Sequence, residues 1–378
     1  MAATQTFDPA LEARRAQNAA QGALSALRLL AGATPHDEVW RSGPVRLRAY
    51  APQGPATRPP LLLVTPIINR YRIVDLAPDG LSLVQGLTAA GIPVYVADWG
   101  EPAAIDQGTD FEDYVLRYLP AMQRVIEARH TPGPVDVIGY CLGGTISVLY
   151  AARFPERVRA LVTLNTPVDF ATGEPHMDLL REWVDARWFP VERLTAAFGN
   201  MPGRLIQQGF LWPTPIGSAL KFARAWPKFD DAEFAHFFSV LESWNQDAVD
   251  VPGAAYRRLI TTLYRSNDLV ERRFRLRERL VTLDAITCPV LAVTCAHDTI
   301  CPPGAARALL EHVSTPADQR RELALSGGHI VPIVGKKAPQ RLHPQLLEFL
   351  GVSGGLSEAP SPSQPSSSGS PPTGRRRA

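Results

Sequence analysis

The chain has few cysteines, no long apolar run and almost no net charge. Its 378 residues hold four cysteines, Cys141, Cys288, Cys295 and Cys301. Four thiols without a secretory leader argue against a disulfide framework and point to a reducing, cytoplasmic compartment. Met1–Ala10 has no apolar h-region, and no window of about 18 apolar residues occurs, so no membrane span is expected. A formal charge of +2 leaves no footprint for nucleic acid. Cys288, Cys295, His297 and Cys301 follow a spacing that matches no common zinc pattern, so no metal site is expected. Cys288 and Cys295 read as small apolar residues in and beside a strand.

What the chain does have is alternation. Apolar runs at Pro60–Pro66, Ile92–Trp99, Val135–Tyr140, Val158–Leu164 and Pro289–Thr294 read as buried strands, with Arg321–Ala324 as the last and Val45–Ala51 as an edge strand. Helical spacing at Leu81–Ala90, Phe111–Ala128 and Thr145–Phe154 falls between them. Strands alternating with helices predict an α/β fold with a mainly parallel, doubly wound sheet. Residues 40–170 and 285–352 form this core. Between them, residues 171–284 break the alternation and are rich in Trp and Phe, which predicts an inserted helical cap. Residues 1–39 are a lead-in whose 8–32 stretch has helical spacing; whether it packs on the core or on a partner is left open. Residues 353–378 are rich in Ser, Pro and Gly and cannot bury enough apolar area to fold.

The sharpest signal is Asp136-Val137-Ile138-Gly139-Tyr140-Cys141-Leu142-Gly143-Gly144. G-x-S-x-G between a strand and a helix is the nucleophile elbow of α/β-hydrolases, and here Cys141 replaces the serine. Glycines two residues either side leave room for a strained nucleophile. The helix starting behind the sulfur supplies amides that favour a thiolate and an oxyanion.

An activated thiol needs a base, and the base an orienting acid. In this fold the chain order is nucleophile, acid, histidine. Asp298 follows the strand Pro289–Thr294, and His329 sits in the Gly-rich loop Ser326-Gly327-Gly328-His329 before the final helix. His297, beside the acid, is the alternative histidine and a candidate substrate contact. The oxyanion hole needs two backbone N–H donors. One is expected at Leu142. The other belongs to the loop after Val64, where Pro66 has no N–H, which leaves Ile67 or Ile68.

With these residues in place, the chain resembles the polyhydroxyalkanoate synthases over most of residues 40–350. Pro66-Ile67-Ile68-Asn69-Arg70-Tyr71-Arg72-Ile73-Val74-Asp75-Leu76 is similar to the family's P-x-I-N-K/R-Y-x-I-x-D-L segment. Val94–Gly100 resembles its D-W-G strand end, and Asn165-Thr166-Pro167-Val168-Asp169-Phe170 the opening of its cap. Trp244–Asp247 and Tyr264–Val270 resemble its cap segments, and His297-Asp298 with Gly327-Gly328-His329-Ile330 completes the set. Val331–Val334 departs from the family pattern, and the chain is shorter than the single-subunit synthases.

The resemblance implies an α/β-hydrolase fold and an acyltransferase that polymerises (R)-3-hydroxyacyl-coenzyme A (CoA). The thioester is the substrate, so no cofactor is expected. A second synthase subunit, a second copy of the chain in a homodimer, and the polymer-granule surface are the implied partners. A thiolate attacking a thioester gives another thioester, which keeps the acyl group activated for an incoming hydroxyl. The rivals are a thioesterase, hydrolase or small-acyl transferase on the same triad, and a silent granule-binding protein that keeps the fold.

Overall fold

Strands without a polar face must be covered on both sides, as the inner strands of a parallel sheet are. A computed structural model describes residues 8–29, 34–76, 82–211, 215–333 and 338–351. It places the apolar runs in the middle of one eight-stranded sheet. The strands are β1 (Asp37–Ser42), β2 (Val45–Tyr50), β3 (Leu61–Val64), β4 (Val94–Asp98), β5 (Val135–Tyr140) and β6 (Val158–Leu164). Two short antiparallel ladders follow, β7 (Asn200–Met201) with β8 (Val251–Pro252), and β9 (Arg275–Leu276) with β10 (Arg279–Leu280). The sheet is completed by β11 (Val290–Cys295) and β12 (Arg320–Leu325), in the order β1-β2-β4-β3-β5-β6-β11-β12. From β4 to β12 every pairing is parallel.

Val45–Ala51 is not the edge. β1 pairs outside it through a tight hairpin in which Ser42 faces Val45 and Gly43 takes a φ of +60°. The charged Asp37, Glu38 and Arg41 hide this strand from a search for apolar runs.

Twelve α-helices accompany the sheet among the described residues: α1 (Pro9–Leu29), α2 (Leu83–Ala89), α3 (Leu119–Arg129), α4 (Leu142–Arg153), α5 (Pro175–Trp183), α6 (Val191–Phe198), α7 (Gly203–Leu211), α8 (Pro215–Ala225), α9 (Ala232–Gln246), α10 (Gly253–Arg258), α11 (Pro303–His312) and α12 (His343–Phe349). The helix expected over Phe111–Ala128 has two gauges. Asp113–Tyr118 is a π-helical stretch, followed by α3. Pro120 has no N–H to give the Leu116 carbonyl, so the regular ladder cannot pass through that turn.

Helices α5 to α10 lie between β6 and β11, with the two short ladders among them. Within the insertion, the Gly199–Gly203 segment is held by the β7–β8 pairing and by the Gly203 N–H donating to Asp250 Oδ1 at 3.0 Å. In the proline-containing Trp212-Pro213-Thr214-Pro215, residues 212–214 lie outside the described residues, as does the Ser/Pro/Gly-rich stretch 353–378.

Helix α1 docks on this insertion. The Asn18 amide donates to the carbonyls of Phe229 and Asp230 at 2.8 and 3.2 Å, and the Trp226 indole donates to Glu12 Oε2 at 2.7 Å. Only a glycine allows so close a crossing at position 22: a methyl group there would sit 2.7 Å from the Ala235 carbonyl oxygen. Ala225, Phe229 and Ala235 form a small apolar cluster apart from the main core, with Ala19 of α1 against it. No helix among the described residues is long and apolar enough to cross a membrane.

Candidate active site

β5 ends at Tyr140 and α4 begins at Leu142, so Cys141 alone makes the turn between them. Its φ of 52° and ψ of −127° are costly for a residue with a side chain, on the order of 1–3 kcal/mol. The surroundings hold it there. Its N–H donates to the Leu164 carbonyl at 3.0 Å, and its own carbonyl accepts from Gly144 and Thr145. A side chain at Gly139 would overlap Gly144 and Ser147, and one at Gly143 would overlap the Val64 and Thr65 carbonyl oxygens. The elbow is thus wedged against the end of β3, whose following loop carries Ile67 and Ile68. Leu142, Ile67 and Ile68 all keep backbone N–H groups that no internal hydrogen bond uses among the described residues.

Asp298 lies just beyond β11 and His329 in the loop after β12, two parallel neighbours that bring their ends together. His329 Nδ1–H donates to Asp298 Oδ2 at 2.7 Å. The other carboxylate oxygen accepts the backbone N–H groups of Ile300 and Cys301, both at 2.9 Å. The Asp298 carboxylate is fully buried, and the His329 ring is 11 % exposed. His297 is exposed and joins the site only through its backbone, with its N–H donating to the Gly327 carbonyl at 2.9 Å.

Burial alone would push the His329 imidazole toward its neutral form. The negative charges of Cys141 and Asp298 outweigh that, and both also hydrogen-bond the ring, so its pKa rises from 6.5 to about 10. The Cys141 sulfur, the His329 imidazole and the Asp298 carboxylate supply a nucleophile, its base and the orienting group. The other cysteines differ. Burial raises Cys288 and Cys295 to about 11, and Cys301 is pushed well above the usual thiol range by burial and by Asp298. Only Cys141 combines a thiol with a base.

Two neighbours of His329 escaped the sequence reading. Asn165 directly follows β6 with a φ of 44°, and its Nδ2 donates to the His329 carbonyl at 2.6 Å. The Tyr140 hydroxyl donates to the same carbonyl at 3.4 Å, and its ring lies 5.4 Å from the imidazole. An asparagine in the left-handed region at a strand's C-terminal end is the signal that marks Asn165.

A cavity of about 580 Å³ opens from the elbow into the insertion. Leu142 and Ile68 line it from below, and Trp183, Phe189, Tyr256 and Tyr264 from above. Cys141 is 6 % exposed beside it. The walls are apolar enough to hold an acyl chain and to keep water scarce.

Comparison with known proteins bears on the fold and the family. Residues 80–336 match the family model described as alpha/beta hydrolase fold. The chain is 33 % identical over 323 residues to the "Poly(3-hydroxyalkanoate) polymerase subunit PhaC" of Allochromatium vinosum, covering 84 % of this chain and 89 % of that one. It is 32 % identical over 321 residues to the protein of the same name from Haloferax mediterranei, covering 84 % of this chain but 64 % of that longer one. The Thiocystis violacea protein of that name is 30 % identical over 322 residues, with 84 % and 88 % covered.

Proposed function

The chain belongs to the poly(3-hydroxyalkanoate) polymerases, a family on the α/β hydrolase fold, and from that premise we propose that Cys141 carries the growing acyl chain as a thioester. The enzyme polymerises hydroxyacyl units delivered as CoA thioesters. The observation that carries the reading is the set Cys141–His329–Asp298 next to an apolar cavity that Leu142, the residue after the nucleophile, lines.

The Cys141 thiolate attacks the carbonyl carbon of the hydroxyacyl-CoA. The oxyanion is met by the Leu142 N–H and by that of Ile67 or Ile68. The carbon–sulfur bond to CoA breaks, and the imidazolium of His329 gives its proton to the departing CoA thiolate. The neutral imidazole then takes the proton from the hydroxyl of a second hydroxyacyl unit as that oxygen attacks the acyl-enzyme. An oxygen ester forms, the bond to Cys141 breaks, and the thiolate–imidazolium pair is restored. Asp298 fixes the ring with Nε2 toward the sulfur throughout. No cofactor takes part in these steps.

The insertion over Cys141 acts as a lid that admits the thioester and excludes water. The word "subunit" in the relatives' names supports a second protein as partner. The granule surface is the proposed working location, and a homodimer the proposed assembly.

The test is incubation with 3-hydroxybutyryl-CoA, following CoA release and polymer together, with and without candidate partner proteins. CoA release with polymer is the expected result. CoA release with free acid and no polymer would place the chain among the thioesterases instead. A lag that an added product oligomer shortens is expected of a closed lid; full rate from the first turnover excludes the lid.

A further inference from the structure

A second cavity, of about 760 Å³, lies outside the triad and is lined by five arginines: Arg41, Arg46, Arg48, Arg70 and Arg72. They come from two places, the β1–β2 hairpin and the loop after β3, while the end of β4 adds Asp98, Gly100 and Glu101 to the lining. Arg41 and Arg46 face each other across β1 and β2. Like charges directly opposite on a sheet are destabilising, a cost that an anion bound between them would relieve.

The carboxylates around the groove do not use up these charges. Asp98 takes Arg48, at 2.8 Å, and Glu38 takes Arg46, at 3.0 Å. Glu101 and Asp247 share Arg70, at 3.2 and 2.7 Å. The Asp106 side chain accepts the Ala103 N–H. Arg41 forms no ion pair among the described residues; its Nε donates to the Gly43 carbonyl. Arg72 reaches Asp247 only at 3.8 Å, and its buried Nε has no partner. Two guanidinium groups thus face the cavity with donors to spare, in the fork geometry that suits phosphate.

The groove is joined to the triad by sequence. Ile67 and Ile68 stand at the elbow, and Arg70 and Arg72 follow two to five residues later. That stretch spans at most about 18 Å when extended. The pantetheine arm of CoA separates its thioester from its phosphates by a comparable length. We propose that this groove receives the phosphate groups of the CoA thioester, an assignment that rests on the acyl-transfer reading of Cys141. Asp247 follows α9 in the insertion, so a phosphate on Arg70 and Arg72 competes with the insertion's own hold on the core loop.

The experiment is calorimetric titration of the full chain, as Cys141→Ala to prevent turnover, with CoA, adenosine 3′,5′-bisphosphate, inorganic phosphate and pantetheine. Arg41→Gln and Arg72→Gln are each expected to weaken CoA and the bisphosphate by about tenfold, the worth of a lost charged hydrogen bond, and to leave pantetheine unaffected. Asp247→Asn should strengthen CoA binding by removing a competitor. Arg41 is exposed, so its replacement reports on the ligand even if the Arg72 variant folds poorly. Unchanged CoA affinity in Arg41→Gln, or an equal loss for pantetheine, overturns the proposal. Inorganic phosphate bound at the arginines without competition from CoA also overturns it. Turnover of the N-acetylcysteamine thioester, which has no phosphates, tests the triad separately: its failure removes the acyl-transfer reading while the titrations still report on the groove.

Discussion

The core and the insertion are built to different standards. In the core, β3, β4 and β5 are buried at every residue, and the elbow is packed so tightly that two glycine positions admit no side chain. In the insertion, Trp188, Phe198 and Phe222 are about half exposed, and α1 meets α9 over a cluster of only a few small or aromatic side chains. Bond making needs atoms held to fractions of an ångström, and a two-sided sheet supplies that. Admission of a large substrate needs elements that yield, and shallow clusters supply those.

Substitutions test this division of labour. Cys141→Ala is expected to abolish covalent acyl labelling and polymer entirely; label on the Ala variant, detected by mass spectrometry, would move the chemistry elsewhere. His329→Gln should lower single-turnover acylation by on the order of 10²–10⁴, and His297→Gln far less. The reverse ranking would mean that the exposed histidine is the base.

Asn165 gives a finer test of the core. Asn165→Gly keeps the left-handed backbone and Asn165→Asp keeps the shape, yet both lose the donor to the His329 carbonyl. Each is expected to slow acylation by about tenfold at unchanged KM, matching one hydrogen bond. A purely structural residue would instead lower Tm without moving the rate of the folded enzyme.

Protonation gives a fourth. The raised His329 pKa means that its proton stabilises the folded state fully below pH 6.5 and progressively less as pH rises toward 10. Imidazole resonances of the resting enzyme should therefore show no titration between pH 5 and 8. Cys141→Ala removes the largest raising charge and should bring the titration down toward neutrality. A wild-type midpoint near 6.5 would dissolve the ion pair.

The smallest effect on chemistry is expected from the insertion. Phe229→Ala should speed hydrogen exchange along α9 while leaving acylation within about twofold, because distant sites act independently. A loss as large as that of the Asn165 variants would erase the distinction between the two regions.

β5 and β6 were legible to the residue because turn-forming residues bound them, Gly133-Pro134 and the elbow for β5, Pro155 and Asn165 for β6. Cys141, Asp298 and His329 were named from chain order and turn chemistry, and the structure brings the three together. β1 was missed because its charges mask a strand that pairs on one edge only. The two-residue ladders β7–β8 and β9–β10 are too short to have a period. Asn165 contacts a partner 164 residues away, and the arginine groove gathers three segments, so neither leaves a local pattern to read.

The docking of α1 also bears on how the chain is made. Asn18 reaches its partner on Phe229 across 211 residues of sequence. At about 5–20 residues per second, a ribosome needs roughly 10–40 s to pass from one to the other. For that interval the first helix to emerge has nothing to lie on, and the whole catalytic elbow is synthesised before its mooring appears. A nascent chain stalled before residue 229 would therefore present α1 to solvent or to a chaperone.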